Sequence, residues 1–200
     1  DIIRAQGSGS MRLKILEDES VELYGVYTVT EGDYLFTLQN IINKQFNLLP
    51  GGTIAWSGDV YQAELDLKAV YRVQTDLTGL VSSANYNNEK VPVDLIISLS
   101  GPLLSPEIGF EIDLPDSPSS YQQELNRHFL NEEALHYQAF SLIMLGDFFQ
   151  QNLGVQESIN FESSLGNTTS ELLVSEFGSW LAAGIGNYVT VDFDYTTGAN

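Results

Sequence analysis

Apolar and polar residues alternate along most of the first 114 positions, and the alternation is longest at residues 61–77. There Tyr61, Ala63, Leu65, Leu67, Ala69, Tyr71, Val73, Thr75 and Leu77 share one parity. Gln62, Glu64, Asp66, Lys68, Arg72, Gln74 and Asp76 share the other, with Val70 the exception. A period of two predicts a two-faced strand, and at about 3.3 Å per residue this one would be roughly 56 Å long. Shorter alternating runs lie at 11–15, 21–29, 34–48, 54–56, 91–99 and 108–114. Gly51-Gly52, Ser57-Gly58-Asp59, the polar stretch 78–90 and Gly101-Pro102 separate them. Gly7-Ser8-Gly9-Ser10 lacks a strand-to-helix context and reads as a bend.

Pro115-Asp116-Ser117-Pro118 marks a change to helical spacing, which predicts helix from Tyr121 to about Phe149. Within it Asn131 is a candidate cap, Glu132 and Glu133 occupy the following turn, and Gly146 is the weak point. Thr168-Thr169-Ser170-Glu171 fits a capping box for a further helix ending at Gly184. Val189, Val191, Phe193 and Tyr195 then alternate as a last strand. The expected fold class is mainly β with added helices. Its organisation is a curled sheet over 1–118, with strands from about residue 9 to 114, a helical segment over 119–187, with helices between 119 and 184, and a C-terminal strand in 188–200. An elongated sheet of this kind, greasy on one side and wet on the other, leaves an apolar groove.

Charge narrows the partners. With 27 acidic and 8 basic residues the formal net charge is −19, so nucleic acid is excluded as a partner by repulsion. Residues 128–200 hold no Lys or Arg, so this third avoids bare anionic headgroups. No Cys is present, which excludes disulfides and thiolate metal sites. The chain starts at Asp1 without a signal-peptide pattern and contains no apolar run long enough to span a bilayer. It reads as a piece of a longer protein.

Catalytic chemistry has little to work with, and the chain is read as non-enzymatic. His128 and His136 are the two histidines, eight residues apart on the expected helix and pointing away from each other. Glu133 and His136 form one copy of E-x-x-H, where carboxylate-bridged metal sites need two. Asp192-Phe193-Asp194-Tyr195-Thr196-Thr197-Gly198 is like the opening of a calcium loop, but its Gly is one place late and the closing Glu is missing. No metal and no cofactor is therefore expected.

The apolar faces remain. A half-buried sheet in any sandwich alternates, yet the reach of these strands exceeds what the helices can cover. A trough lined by Tyr61, Leu65, Leu67, Tyr71, Val73, Val93, Leu95, Ile97, Leu99, Ile108, Phe110 and Ile112 would hold lipid tails. Carrying a sixteen-carbon tail through water costs roughly 12 kcal/mol at about 0.8 kcal/mol per methylene, and such a trough removes that cost. Two other readings stand beside it: a chaperone-like module offering strand edges and apolar surface to nascent barrel proteins, and a plain structural β-domain with a filled core.

Three stretches carry a family resemblance: Gly32-Asp33-Tyr34-Leu35-Phe36-Thr37-Leu38-Gln39-Asn40-Ile41-Ile42-Asn43-Lys44, Gly51-Gly52-Thr53-Ile54-Ala55-Trp56-Ser57-Gly58-Asp59 and Leu65-Asp66-Leu67-Lys68-Ala69-Val70-Tyr71. With Val91-Pro92-Val93-Asp94-Leu95, Ser100-Gly101-Pro102-Leu103, Pro106-Glu107-Ile108, Glu111-Ile112-Asp113-Leu114-Pro115, Phe177-Gly178-Ser179-Trp180-Leu181 and Val191-Asp192-Phe193, they resemble in order the C-terminal domain of the translocation and assembly module subunit TamB, in its Bacteroidetes-like form. Val60 stands where the family commonly has Pro after the Gly-Asp turn. The resemblance implies a relative of the AsmA-like bridge proteins. These are anchored in the inner membrane of diderm bacteria, cross the periplasm as a curled β-taco and reach a TamA-like outer-membrane barrel. It implies phospholipid acyl chains as cargo for outer-membrane biogenesis, or assistance to outer-membrane protein assembly and secretion. The edge around Val189, Val191, Phe193 and Tyr195 would then be where the barrel docks.

Overall fold

The structure, a computed structural model, describes residues 2–38, 42–78, 80–82, 89–130 and 132–148. It is mainly β. Seven antiparallel strands form one sheet, β1 (Ile2–Ile15), β2 (Val21–Leu38), β3 (Ile42–Leu48), β4 (Thr53–Asp59), β5 (Glu64–Thr75), β6 (Val91–Pro102) and β7 (Glu107–Asp113). Two helices follow, α1 (Ser119–His128) and α2 (Glu132–Leu145). Each strand is next to its predecessor, except that β3 and β4 together fill the single place between β2 and β5. They are one long strand interrupted at residues 49–52. Backbone bonds bridge the interruption, from Val29 N–H to Gly52 O at 2.8 Å, from Gly51 N–H to Val29 O at 2.8 Å and from Leu49 N–H to Lys68 O at 2.7 Å. Gly51 has φ 92°, a left-handed conformation that favours glycine.

The register stacks the apolar residues into rows that cross the sheet. One runs Ile3, Tyr34, Phe46, Tyr71, Leu95, Ile112, its middle step made by the Phe46 and Tyr71 rings with centroids 5.4 Å apart. The next runs Leu48, Ala69, Ile97, Phe110, and beyond it lie Leu67, Leu99, Ile108. A further row joins Tyr27, Ile54 and Leu65. A slip of one residue would turn every such row to water and bring Asp66 and Lys68 inside, so the apolar pattern fixes the pairing.

Three expectations need correction. Gly7-Ser8-Gly9-Ser10 is not a bend: it lies in the middle of β1, just past a register shift between Gln6 and Gly7. β2 approaches so closely that a Cβ on Gly7 or Gly9 would sit 2.1 Å from Thr28 O or 2.3 Å from Val26 O. The glycines allow the pairing rather than break it. The alternating strand is shorter than residues 61–77, because aspartates turn the chain at both ends. Asp59 Oδ1 accepts from Tyr61 N–H at 2.9 Å, and Asp76 Oδ1 accepts from Thr78 N–H at 2.8 Å. These are Asx-turns, whose side chains replace the ladder. β2, at 18 residues, is the longest strand among the described residues. Finally, the helical stretch is broken between His128 and Glu132, so the two histidines sit on different helices.

Two outcomes test this account. Gly9→Val should lower stability by about 1–3 kcal/mol through overpacking, whereas Ser8→Val should be mild; thermal unfolding by circular dichroism measures both. The bond from Thr78 holds the Asp76 carboxyl below its ordinary range. Its contribution is therefore present above the unfolded value of about 3.9 and is lost as pH falls through the lowered folded value. Asp76→Asn should flatten that acid limb of a denaturation series.

Candidate apolar groove

Eleven of the twelve residues expected to line a groove share one face of β5, β6 and β7. Leu67 stands opposite Leu99 and then Ile108, Tyr71 opposite Leu95 and then Ile112, Val73 opposite Val93, and Ile97 opposite Phe110; Leu65 continues the row parity. Tyr61 is the exception, 58% exposed in the turn before β5. Tyr71, Val73 and Ile108 are half-buried, and the other eight are buried.

What lies over this face is protein. α2 packs on β7, with the His136 ring edge-on to Phe110 at 5.3 Å. Residues 138–143 of α2 are buried without a break. Six consecutive residues exceed one helical turn of 3.6, so this part of the helix is covered on every side. It is core filling, not a lid with one wet face. Its end is fastened to the sheet. The Thr75 hydroxyl donates to the Asp147 carboxylate, which also accepts Phe148 N–H at 2.9 Å, and Ser141 Oγ donates to Asp147 O at 2.7 Å. Thr75 and Ser141 are fully buried, so these bonds satisfy groups that water cannot reach. Gly146 lies against Val73, and the Phe148 and Phe129 rings stack at 6.1 Å.

α1 serves the rim. Its Gln122 amide accepts from Leu114 N–H at 2.8 Å and donates to Ile112 O at 2.9 Å, while Glu124 accepts from Ser82 N–H at 2.6 Å. Leu80 and Val81, in what reads as a polar linker, are buried, as is Leu77 just before it. The apolar face is continued on the β1–β2 hairpin by Met11, Leu13, Ile15 and Val21, which are exposed. Tyr34 is buried on that side of the sheet, and desolvation pushes its phenol well above its ordinary pKa.

The opposite face is wet. Arg72 Nε and Nη2 each donate to an Asp94 carboxylate oxygen at 2.6 Å, across a register pair. The hydrogen bonds to Asp94 hold the guanidinium pKa above its usual value. Lys68 and Glu111 stand 3.9 Å apart. Among the described residues no three His, Cys, Asp or Glu side chains cluster as metal ligands, and no helix is long and apolar enough to cross a membrane. Val189, Val191, Phe193, Tyr195 and the loop-like run at 192–198 lie outside the described residues.

Sequence reasoning found the face and missed its occupant. The signal was present: α2 reads Ala134, Leu135, Tyr137, Ala139, Phe140, Leu142, Ile143, Met144, Leu145, apolar around the whole helix rather than on one stripe.

Fold and face together define a β-sheet module whose developed feature is an apolar side. The chain belongs to the TamB C-terminal domain family, whose model matches residues 1–200, the whole length. The family is one of non-enzymatic envelope modules that act with an outer-membrane partner in translocation and assembly. No curated protein and no solved structure matches the chain.

The clasp gives a direct test. Asp147→Ala removes bonds made by a carboxylate, worth about 1.5–3 kcal/mol for a charged acceptor. Chemical denaturation should show that loss, and hydrogen exchange should show α2 amides losing protection before those of β6.

Proposed function

We propose that this domain holds phospholipid acyl chains on its apolar sheet face as part of lipid transfer between the inner and outer membranes, alongside a TamA-like outer-membrane barrel. The observation that supports this is the continuity of the face. The face that α2 fills over β5–β7 is the one on which Leu13 and Ile15 stand at the far end of the β1–β2 hairpin, in other rows, 61% and 68% exposed. Each buried methylene of a tail gains about 0.8 kcal/mol, so an open apolar row and a helix-filled one are alternative seats for the same chemistry. A tail seated at Leu67, Leu95 or Ile112 takes the place of α2; a tail at Leu13 and Ile15 does not.

The burial of α2 favours a second reading, the structural domain with a filled core. Mass spectrometry of organic extracts from gently purified protein separates the two. Leu67→Asp is a poor probe, because a carboxylate in that buried row costs several kcal/mol and threatens folding. Leu13→Asp, at an exposed position, and a protein with α2 locked by a short thiol cross-link between Thr75→Cys and Asp147→Cys are better. Phospholipid should co-purify with the unmodified protein, and one of the two changes should remove most of it. Absence of lipid, or equal recovery from both variants, would leave the filled core as the function of this face.

A further inference from the structure

We infer that Lys44 and Tyr71 form an anchor for the phosphate of a lipid whose tail lies on the apolar face beside them. The inference rests on the lipid reading above and gives it a polar end. It starts from parity. In β3 Lys44 stands opposite Phe36, two places from the pair of Phe46 and Tyr34, so it belongs to the apolar side of the sheet. The other five basic residues of the strands, Arg4, Arg12, Lys14, Lys68 and Arg72, are on the wet side, and the last three meet acids there. Lys44 is half-buried and makes no ion pair with a described residue. An ammonium drawn out of water without an acid beside it is uncommon.

What Lys44 meets instead is a phenol. Its Nζ donates to Tyr71 Oη at 3.3 Å and lies 5.5 Å from the centre of that ring, so the ammonium addresses the hydroxyl rather than the face. Phe46 packs against the same ring, with centroids 5.4 Å apart. An ammonium has three protons to give and no acceptor, and a phenol that accepts still has its own proton to give. Two donors carrying one positive charge therefore stand together on a greasy surface. That is the complement of an anion borne on an apolar body. A phosphate oxygen between them would make charge-assisted bonds, and lysine binds phosphate as a point charge without a fixed angle of approach. A free anion is the poorer fit, because one cation does not offset a net charge of −19. A lipid adds the burial of its methylenes along the neighbouring row of Tyr71, Leu95 and Ile112, where its tail takes the place of α2. The anchor also orients the lipid, setting the headgroup at the end of the sheet where β2 passes into β3.

The test uses dodecyl phosphate, dodecyl maltoside and inorganic phosphate, with both amphiphiles below their micelle concentrations, read by calorimetry and phosphorus NMR. Dodecyl phosphate should bind about tenfold tighter than dodecyl maltoside, with the preference shrinking at high salt. Inorganic phosphate at the same concentration should not compete. Lys44→Met keeps the length of the side chain and should remove the preference while leaving dodecyl maltoside binding unchanged; Lys44→Arg should retain it. Tyr71→Phe, which keeps the ring beside Phe46, should lower the preference in part and probes the same pair should the methionine variant not fold. Equal binding of the two amphiphiles, or a preference that survives Lys44→Met, would overturn the anchor and leave the lipid seat standing, as for a lysine that only lays its stem on apolar surface. Inorganic phosphate binding as tightly as dodecyl phosphate would also overturn it, by giving the pair to a free anion. Binding of neither amphiphile would overturn the anchor and the lipid reading together.

Discussion

Everything in this domain follows from one demand: a wide antiparallel sheet with apolar residues along one side must take that side out of water. Fully burying a Leu, Ile, Val or Phe is worth about 1.5–3 kcal/mol, and the rows through Tyr34, Phe46, Leu95 and Ile97 hold many of them. A surface helix with one greasy stripe would shield part of such a face. α2 instead enters the core with every side covered between residues 138 and 143, and the bonds of buried Thr75 and Ser141 to half-buried Asp147 hold its end. Hydrophobic filling supplies the stability and the polar clasp supplies the position.

The wet face does a different job. Its three ion pairs join β1 to β2, β5 to β7 and β5 to β6. The exposed Lys14–Glu22 and Lys68–Glu111 pairs contribute about 0–1 kcal/mol, far less than one buried row; in the third, Arg72 is exposed and Asp94 buried. Their use is in alignment. Arg72 meets Asp94 in only one register, with two bonds at once, and that register is the one that keeps Leu67 against Leu99. The two sides of the sheet thus specify the same pairing independently.

The strands were legible because period two survives in any half-buried sheet, and eleven groove residues fall on one face as their parity requires. The errors came from features that parity cannot see. Tyr61 and Asp76 fit the alternation, so parity runs on through the turns in which Asp59 and Asp76 accept backbone N–H groups. Gly7 and Gly9 signalled a break by composition, while their role is a close approach between strands that only the pairing reveals. α2 was legible as a helix; its location in the core lay in its all-round apolar character, which a search for one-faced helices passes over.

The interruption of the β3–β4 strand has a mechanical meaning. Between its two halves the offset to β2 changes by one residue and the offset to β5 by two, while β2 and β5 run past unbroken. A ladder with more chain on one rail than on its neighbours must arch and twist at that point. The arch is written into the main chain at residues 49–52, through the positive φ of Gly51 and the bonds to Val29 and Lys68, and owes nothing to the side chains on either face. Curvature and lining are therefore separable quantities in this sheet: the apolar residues can be exchanged for others of similar size without flattening it, and its bend can be reshaped at four residues without changing what lines either face.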